Sequence, residues 1–392
     1  MTTAAPQKPP DLQGESLTLT LTGLISERIA PQEVPPEGWE RLIALAGKEA
    51  VLPMLHARIR AKMPELASSG VWQKASASVM RTAAKLSALL GAQDEVSKAL
   101  NAAGIEVIWL KGAALCHTVY PQKTLRPMVD GDFLVPFERR EQALHVVEGL
   151  GFHPSYHPSL FVGVMDNERA GALYHHYVLQ RGEVLLELHF SLFPDPALLP
   201  GEAMGWFWSQ TEAITPLLRA FTPEAQILHL AAHLFRHHHD LEPDLLHLLD
   251  FHLLLKARPI NWTLVLDQAV ELGWTQALEQ ALTAAGALYG TSYSSEVLKA
   301  LQTRRPAHEQ ALLQQQAAGL GSFGKNWRRF QGFSALQKLN LILRAFFPTP
   351  ENLRRRFEVP IGRSLIGVYP RLWTQLIGKA VRWLLRRGIG QG

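Results

Sequence analysis

The sequence predicts an α+β protein in which a small mixed-sheet core is inserted between N-terminal and C-terminal helical domains. Apolar runs of strand length occur at 105–110, 133–135 and 184–190. On either side the apolar spacing is helical: a proline-free stretch rich in Ala and Leu covers 71–103, and helical patterns cover 223–288. A period that changes from helix to strand and back predicts separate helical and sheet regions.

Length and composition set the outer limits. The 392 residues are enough for two or three domains, and a hydrophobic content of 47% is that of a globular protein. We expect five segments, namely a disordered leader over 1–16, a helical domain over 17–103, an α/β core over 104–193, a second helical domain over 194–323 and a basic helical region over 324–392.

Cysteine usage and hydropathy indicate the compartment. Cys116 is the single cysteine of the sequence, which excludes a disulfide framework and fits a reducing environment. The first 16 residues lack the apolar segment of a signal peptide, and no run of about 18 apolar residues exists to form a transmembrane helix. We therefore expect a cytoplasmic protein.

Positive charge is concentrated at the C-terminal end. Residues 324–392 hold 14 Lys or Arg but only Glu351 and Glu358, a net charge of +12, so the remainder of this +4 chain carries −8. This asymmetry predicts contact with something anionic, either an external partner or the acidic remainder of the chain. Residues 365–387 alternate basic residues with Trp and Leu. That pattern favours peripheral membrane contact or a packing helix with extended arginines, whereas nucleic acid is an unlikely partner.

The core segment contains a sequence of distinct elements. An apolar strand over 105–110 follows Gly104, a candidate helix C-cap, and is followed by Lys111-Gly112 and a short helix over 113–120. A second strand begins near Asp130-Gly131-Asp132 and is followed by a helix over 137–150. Residues 153–172 are expected to form a loop. Residues 174–180 and 184–190 then predict a hairpin across Arg181-Gly182-Glu183.

Two carboxylates are expected to share a face at the start of the second strand. Because strand side chains alternate, Asp130 and Asp132 point the same way. Carboxylates held side by side repel each other unless a cation lies between them. A hard cation such as Mg²⁺ takes a few carboxylates together with the phosphate oxygens of a substrate, so this pair predicts a metal site.

A third acid lies in the later strand. Glu187 is surrounded by Leu185, Leu186 and Leu188, where a carboxylate is unexpected without a partner. We expect Glu187 to complete the metal site. His189 shares its face and is expected to orient a neighbour within the cleft.

The order of these elements resembles the DNA polymerase β-like nucleotidyltransferase superfamily. More narrowly, it is similar to an uncharacterised bacterial nucleotidyltransferase family with the signature LKG…R…DxDLLV…LHW. The matching residues are Leu110 to Gly112, Arg126, Asp130 to Val135, and Leu186 to Phe190. The resemblance implies a nucleotidyltransferase core that moves a nucleoside monophosphate from a nucleoside triphosphate to an acceptor hydroxyl or phosphate.

The resemblance also implies roles for individual residues. Asp130, Asp132 and Glu187 would be catalytic residues that bind Mg²⁺ or Mn²⁺, and Glu187 would act as ligand or base toward the acceptor. Lys111, Gly112 and Arg126 would bind the triphosphate, with Gly112 allowing close approach to the backbone. Alternatively, Lys111 and Gly112 cap a strand and Arg126 pairs with an acid.

Two departures from the superfamily pattern keep other functions open. The first turn carries Lys-Gly instead of Gly-Ser or Gly-Gly, and Gly131 replaces an aliphatic residue between the aspartates. The alternatives are transfer of another phosphate-activated group, such as a sugar, to a peptide or glycan, and a degenerate scaffold that binds nucleotide without turnover. The acceptor is open between a small molecule, a peptide, a glycan and a protein.

Histidines in the second helical domain form a further candidate site. His229, His233 and His237 recur at a spacing of four and would share a helix face. Without an HExxH motif or nearby cysteines, a metal ladder is less expected than solvated or core histidines. His233 and Asp250 are predicted to line the active cleft.

Overall fold

The computed structural model describes residues 15–67, 69–154, 175–193, 203–237, 244–307, 309–310, 346–347, 357 and 363–375. The chain divides into two compact units. The first contains Met1–His153, Leu179–Leu192 and Leu199–Pro306, and the second contains Pro154–Val178, Phe193–Leu198 and Ala307–Gly392. The predicted α+β class is confirmed by a mixed seven-stranded sheet accompanied by helices.

The N-terminal part of the first unit is helical, as predicted. Its helices are α1 (Glu15–Ile25), α2 (Trp39–Lys48), α3 (Leu52–Lys62), the short α4 (Pro64–Ala67) and α5 (Gly70–Ala102). Residues 1–14 of the expected leader lie outside the described residues, and α1 already begins at the fifteenth residue.

Helix α5 is the longest element among the described residues and positions the sheet. In its second half the buried residues recur every three or four positions, so that one face is covered: Leu86, Leu89, Gln93, Val96 and Leu100. The helix ends where Gly104 adopts a left-handed backbone with φ +66°. The Ile105 amide then donates to the Leu100 carbonyl over 2.9 Å, which confirms the predicted C-cap.

The strands are β1 (Ile108–Trp109), β2 (Asp130–Leu134), β3 (His153–Pro154), β4 (His176–Arg181), β5 (Val184–His189), β6 (Thr211–Ala213) and β7 (Arg219–Phe221). Their order is β3-β4-β5-β2-β1-β7-β6. Strand β2 runs antiparallel to β1 and parallel to β5, while β7 runs parallel to β1 and antiparallel to β6. The predicted hairpin is confirmed, with Gly182 at φ +59° in its turn.

The prediction of purely helical structure after Pro194 is wrong for β6 and β7. These strands extend the sheet beyond the expected core, with Ala220 opposite Trp109. Each has three residues, which is too short for a period of two to emerge from the sequence. The predicted strand over 105–110 is likewise shortened to two paired residues.

The remaining helices of the first unit are α6 (Lys111–Thr118), α7 (Arg140–Gly149), α8 (Ala203–Ser209), α9 (Pro223–Ala232), α10 (Leu245–Ala257), α11 (Trp262–Leu272), α12 (Thr275–Tyr289) and α13 (Ser295–Thr303). Helix α9 continues into a π-helical turn at His233–His237. Helix α10 is buried around most of its circumference, as its near-continuous Leu and Phe content requires. The loop predicted at 153–172 lies outside the described residues from 155 onward, as do residues 311–323 at the end of the predicted second helical domain.

The described part of the second unit includes a small apolar cluster. Val368 and Leu372 are buried against partly buried neighbours, namely Phe357, Leu365, Tyr369 and Trp373. Residues 369–375 are helical, so the start of the predicted amphipathic segment is a helix, and 376–387 lie outside the described residues. Within the described ranges, no helix has both the length and the apolar character needed to cross a bilayer.

Candidate active site

The site is built on the pairing of β2 with β5. In this parallel pair Asp130 lies opposite Leu185, Asp132 opposite Glu187 and Leu134 opposite His189. Side chains alternate along each strand. Asp130, Asp132, Glu187 and His189 therefore share one face of the sheet.

The opposite face of β2 explains Gly131. A Cβ built on this residue would lie 3.2 Å from Leu89 Cδ1 and 3.0 Å from Leu186 Cδ2. Helix α5 thus occupies the space that an aliphatic residue would fill. The departure from the superfamily pattern follows from this packing, and α5 supports the carboxylates from behind.

His189 joins the two facing acids. Its Nε2 lies 2.9 Å from Asp132 Oδ1 and 3.2 Å from Glu187 Oε2. The imidazole side chain is only 2% exposed, so these contacts are shielded from water. Asp132, Glu187 and His189 each offer one ligand atom, and these three atoms lie within 4.8 Å of one another. They form a group that could hold a metal ion.

Lys111 reaches the same carboxylate from the start of α6. Its Nζ lies 2.8 Å from Asp132 Oδ1, and its side chain is 14% exposed. The backbone is connected as well, because the Leu110 amide donates to the Asp132 carbonyl over 3.0 Å. Lys111 has φ +46°, a left-handed conformation that costs a residue with a Cβ about 1–2 kcal/mol. The fold holds this lysine in place against that cost.

Lys111 and His189 together control how Asp132 ionises. Burial by itself would raise the pKa of Asp132, but the Lys111 ammonium and the His189 ring bring that pKa well below its usual range. The pKa of Lys111 is raised, because the nearby carboxylates, Asp132 first, outweigh the effect of burial. The hydrogen bonds to Asp132 and Glu187 raise the pKa of His189 although burial opposes them. Asp132 is therefore an ionised carboxylate that Lys111 and His189 both contact.

Asp130 behaves differently. Burial, then the negative charges of Asp132 and Glu187, raise the pKa of Asp130 to about 6. It is half-buried at the start of β2. Asp130 is not part of the group formed by Asp132, Glu187 and His189 that could hold a metal ion, so its role as a metal ligand stays a prediction.

The structure pairs Arg126 with Asp250, which is the alternative left open for this arginine. Arg126 Nε donates to Asp250 Oδ1 over 3.1 Å, and Nη2 donates to Oδ2 over 2.6 Å. Tyr120 donates its hydroxyl to Oδ1 over 2.7 Å. Both charged side chains are buried, with Asp250 fully so. A role of Arg126 or Asp250 toward substrate stays a prediction.

The packing beside Gly112 has a structural cause. A Cβ on this residue would lie 2.8 Å from both Arg126 Cζ and Nη1, and 3.0 Å from Met128 Sδ. The missing side chain makes room for the guanidinium. Close approach of a phosphate to Gly112, which was expected from the resemblance, stays a prediction.

The histidines at a spacing of four, for which a metal ladder was less expected than solvated or core positions, do not form a metal site within the described residues, although the ring centroids of His229 and His233 lie 6.3 Å apart. His229 packs edge-on against Phe221 with ring centroids 5.9 Å apart, while His233 lies 6.1 Å from the ring of His247. The side chain of His237 lies outside the described residues. In the described ranges, the groups that could hold a metal include neither His229 nor His233.

Sequence reasoning missed the residues that support the site from α5. Gln93 Nε2 donates to the Ala113 carbonyl of α6 over 2.8 Å, and its Oε1 lies 2.9 Å from His117 Nε2. Trp109 Nε1 donates to Ser97 Oγ over 2.8 Å. The available signal was the presence of Gln93 and Ser97 among apolar residues on the buried face of α5.

Comparison with known proteins agrees with this geometry. A family model described as an uncharacterised nucleotidyltransferase matches residues 35–290, which is more than half of the chain and includes the whole candidate site. Neither the curated proteins nor the solved structures gave a match. The chain therefore belongs to this uncharacterised nucleotidyltransferase family.

Proposed function

We propose that the protein is a metal-dependent nucleotidyltransferase that moves a nucleoside monophosphate from a nucleoside triphosphate to an acceptor hydroxyl or phosphate. The observation that supports this proposal most is the pairing of Asp132 with Glu187 on one face of the sheet. Lys111 at the start of α6 brings a positive charge to the same place. Membership of a nucleotidyltransferase family supplies the reaction class.

The residues present fit a divalent cation. Asp132 and Glu187 contribute carboxylate oxygens. Asp130 adds a half-buried carboxylate two residues before Asp132, on the same face of β2. Oxygen donors suit Mg²⁺ and Mn²⁺, and an imidazole is an additional donor that transition metals accept. When bound, such an ion would stabilise charge on the attacking and leaving oxygens.

The chain's own groups have distinct roles in this proposal. The acceptor oxygen attacks the α-phosphorus, and the bond from that phosphorus to the pyrophosphate oxygen breaks. Glu187 takes the acceptor proton, and His189 holds Glu187 in position. Lys111 and the first turn of α6 bind the released phosphates. Arg126 supports that turn from beneath Gly112 while Asp250 holds the guanidinium.

One observation favours a second candidate function. Asp132 already forms an ion pair with Lys111 and a hydrogen bond with His189, so its charge is partly compensated within the site. A scaffold that binds nucleotide without turnover would be stable in this state. Such a protein would bind a nucleoside triphosphate and release no pyrophosphate with any acceptor.

Product analysis tests the proposal. The protein would be incubated with each nucleoside triphosphate, with Mg²⁺ or Mn²⁺, and with small-molecule, peptide, glycan and protein acceptors in turn. We expect pyrophosphate release and an acceptor heavier by one nucleotide, both lost in Asp132→Asn. A second series of incubations uses sugar nucleotides as donors. Transfer from sugar nucleotides but from no nucleoside triphosphate would show that the reaction is glycosyl transfer and not nucleotidyl transfer. Undiminished turnover in a folded Asp132→Asn variant would contradict the proposed site.

The basic C-terminal region is a separate proposal. Peripheral membrane contact is supported by the charge of residues 324–392, but Val368 and Leu372 are buried in a local apolar cluster. A packing helix explains that burial equally well. Sedimentation with anionic liposomes, with and without residues 365–392, separates the two: loss of binding on truncation supports membrane contact.

A further inference from the structure

One oxygen of the candidate site contacts an ammonium and an imidazole. Asp132 Oδ1 accepts from Lys111 Nζ at 2.8 Å and from His189 Nε2 at 2.9 Å. Glu187 lies beside it, 3.2 Å from the same imidazole nitrogen. The positive charge of Lys111 therefore lies among the donor atoms that could hold a metal ion.

A divalent ion and the Lys111 ammonium compete for that position. An oxygen-bound Mg²⁺ lies about 2.0–2.1 Å from its ligand. An ammonium that keeps its contact with the same oxygen would be next to two further positive charges. Little water is available to screen the repulsion, because the side chains of Lys111 and Asp132 are only 14% and 9% exposed.

We propose that Lys111 is the counter-ion of Asp132 whenever no divalent cation is bound, and that its ammonium would leave Asp132 for the donor triphosphate when Asp132, Glu187 and His189 hold such a cation. This inference rests on the proposed function. Lys111 thereby becomes a residue that couples metal binding to nucleotide binding, in addition to its predicted contact with phosphate.

The position of Lys111 in the fold allows this exchange. Its four-carbon side chain is flexible, whereas its backbone is fixed at the end of β1 through the Leu110 amide and the Asp132 carbonyl. The ammonium can leave Asp132 without displacing the strand. The Lys111 backbone lies in the first turn of α6, where backbone amides have no acceptor within the helix and therefore favour phosphate.

Cooperativity between metal and nucleotide follows. Without nucleotide, Lys111 opposes metal binding, because its ammonium would lose the ion pair with Asp132 and would gain no other anionic partner. With a triphosphate present, the phosphate oxygens would form a new ion pair with the ammonium, so Lys111 would no longer weaken metal binding. Removing the charge at residue 111 should therefore tighten metal binding while it weakens nucleotide binding.

The experiment titrates the full-length protein with Mn²⁺ in the absence of nucleotide and measures free Mn²⁺ by electron paramagnetic resonance. Lys111→Met removes the ammonium, and Lys111→Gln removes the charge but keeps a hydrogen-bond donor. Lys85→Met is the matched control, because Lys85 is 72% exposed and paired with Glu183 at 3.3 Å. We expect Mn²⁺ affinity to rise about tenfold in both Lys111 variants, within the usual range of coupling between sites, and to stay unchanged in the control.

Other outcomes separate this inference from the proposed function. Unchanged or weaker Mn²⁺ binding in both Lys111 variants, with binding lost in Asp132→Asn, overturns the exchange but leaves the metal site standing. Absence of Mn²⁺ binding in the wild type and in all variants overturns both proposals. Urea unfolding of each variant verifies the fold, and if Lys111→Met is unstable the Lys111→Gln result decides.

Discussion

Arg126 and Asp250 form a buried two-point ion pair that connects the segment before β2 with α10. The two residues are 124 positions apart in the chain. Tyr120 adds a hydrogen bond to the same carboxylate, so two residues of the connection between α6 and β2 converge on one residue of α10. This network fixes the chain immediately before Asp130 and supports the first turn of α6 at Gly112.

Asp250→Asn should destabilise the protein strongly. It leaves the Arg126 guanidinium buried without a charged partner, which costs about 3–5 kcal/mol. Tyr120→Phe removes one hydrogen bond and leaves the ion pair intact, so we expect a smaller loss of about 1.5 kcal/mol. Urea unfolding measures both. An Asp250→Asn variant no less stable than Tyr120→Phe would show that the pair carries no such role.

Gly112→Ala should also destabilise, although alanine favours a helix. The new Cβ would lie 2.8 Å from the Arg126 guanidinium, which Asp250 prevents from moving aside. Overpacking of this kind costs about 1–3 kcal/mol. Gly91→Ala in α5 is the matched control, because nothing lies within 4 Å of its Cβ position, and it should stabilise by about 0.5–1 kcal/mol. If both substitutions change the free energy of unfolding in the same direction, this account of Gly112 is refuted.

Gly131→Val, which restores the aliphatic residue of the superfamily pattern, should destabilise by about 1–3 kcal/mol through contact with Leu89 and Leu186. Leu89→Ala should cost about 2–5 kcal/mol through a cavity in the same place. Since the new valine would fill that cavity, the double variant should be more stable than the sum of the two losses predicts. Strict additivity in denaturant unfolding would show that α5 does not substitute for the missing side chain.

His117 should make the protein less stable in mild acid. Burial, with help from Lys123, lowers the pKa of His117 to about 4, whereas an unfolded chain binds this proton near pH 6.5. Stability is therefore fully present above pH 6.5 and declines as pH falls toward 4, because only the unfolded state takes up the proton. The unfolding free energy of the wild type should fall relative to that of His117→Gln as the pH decreases from 6.5 to 4. A difference that is constant from pH 7 to pH 4 would argue against a neutral buried imidazole.

The parts of the fold that local pattern controls were predictable. The proline-free stretch ending at Gly104 predicted the long helix, and the strand-like segments on either side of Arg181-Gly182-Glu183 predicted the hairpin. Alternation also put Asp130 and Asp132 on one face, and the apolar neighbours of Glu187 indicated a buried strand. The pairing of β2 with β5 then brought Asp132 and Glu187 opposite each other. Their chemical roles stay predictions.

Features that depend on distant contacts could not be predicted. The apolar residues around Asp250 in α10 indicate a buried acid, but they do not identify Arg126, 124 positions away, as its partner. Strands β6 and β7 pair through three residues each, so their stability comes from the neighbouring strand β1 and not from their own composition. The packing of Leu89 beneath Gly131 likewise depends on where α5 crosses the sheet.

Nucleotide binding tests the central claim most directly. Calorimetric titration with ATP, GTP, CTP and UTP in the presence of Mg²⁺ or Mn²⁺ would compare wild type with the folded double variant Asp130→Asn/Asp132→Asn. The account predicts metal-dependent binding of at least one nucleotide, lost in the double variant because the carboxylates that hold the ion are gone. Equal binding by both proteins, or no binding of any of the four nucleotides to the wild type, would contradict a nucleotidyl-transfer site on the Asp132 and Glu187 face.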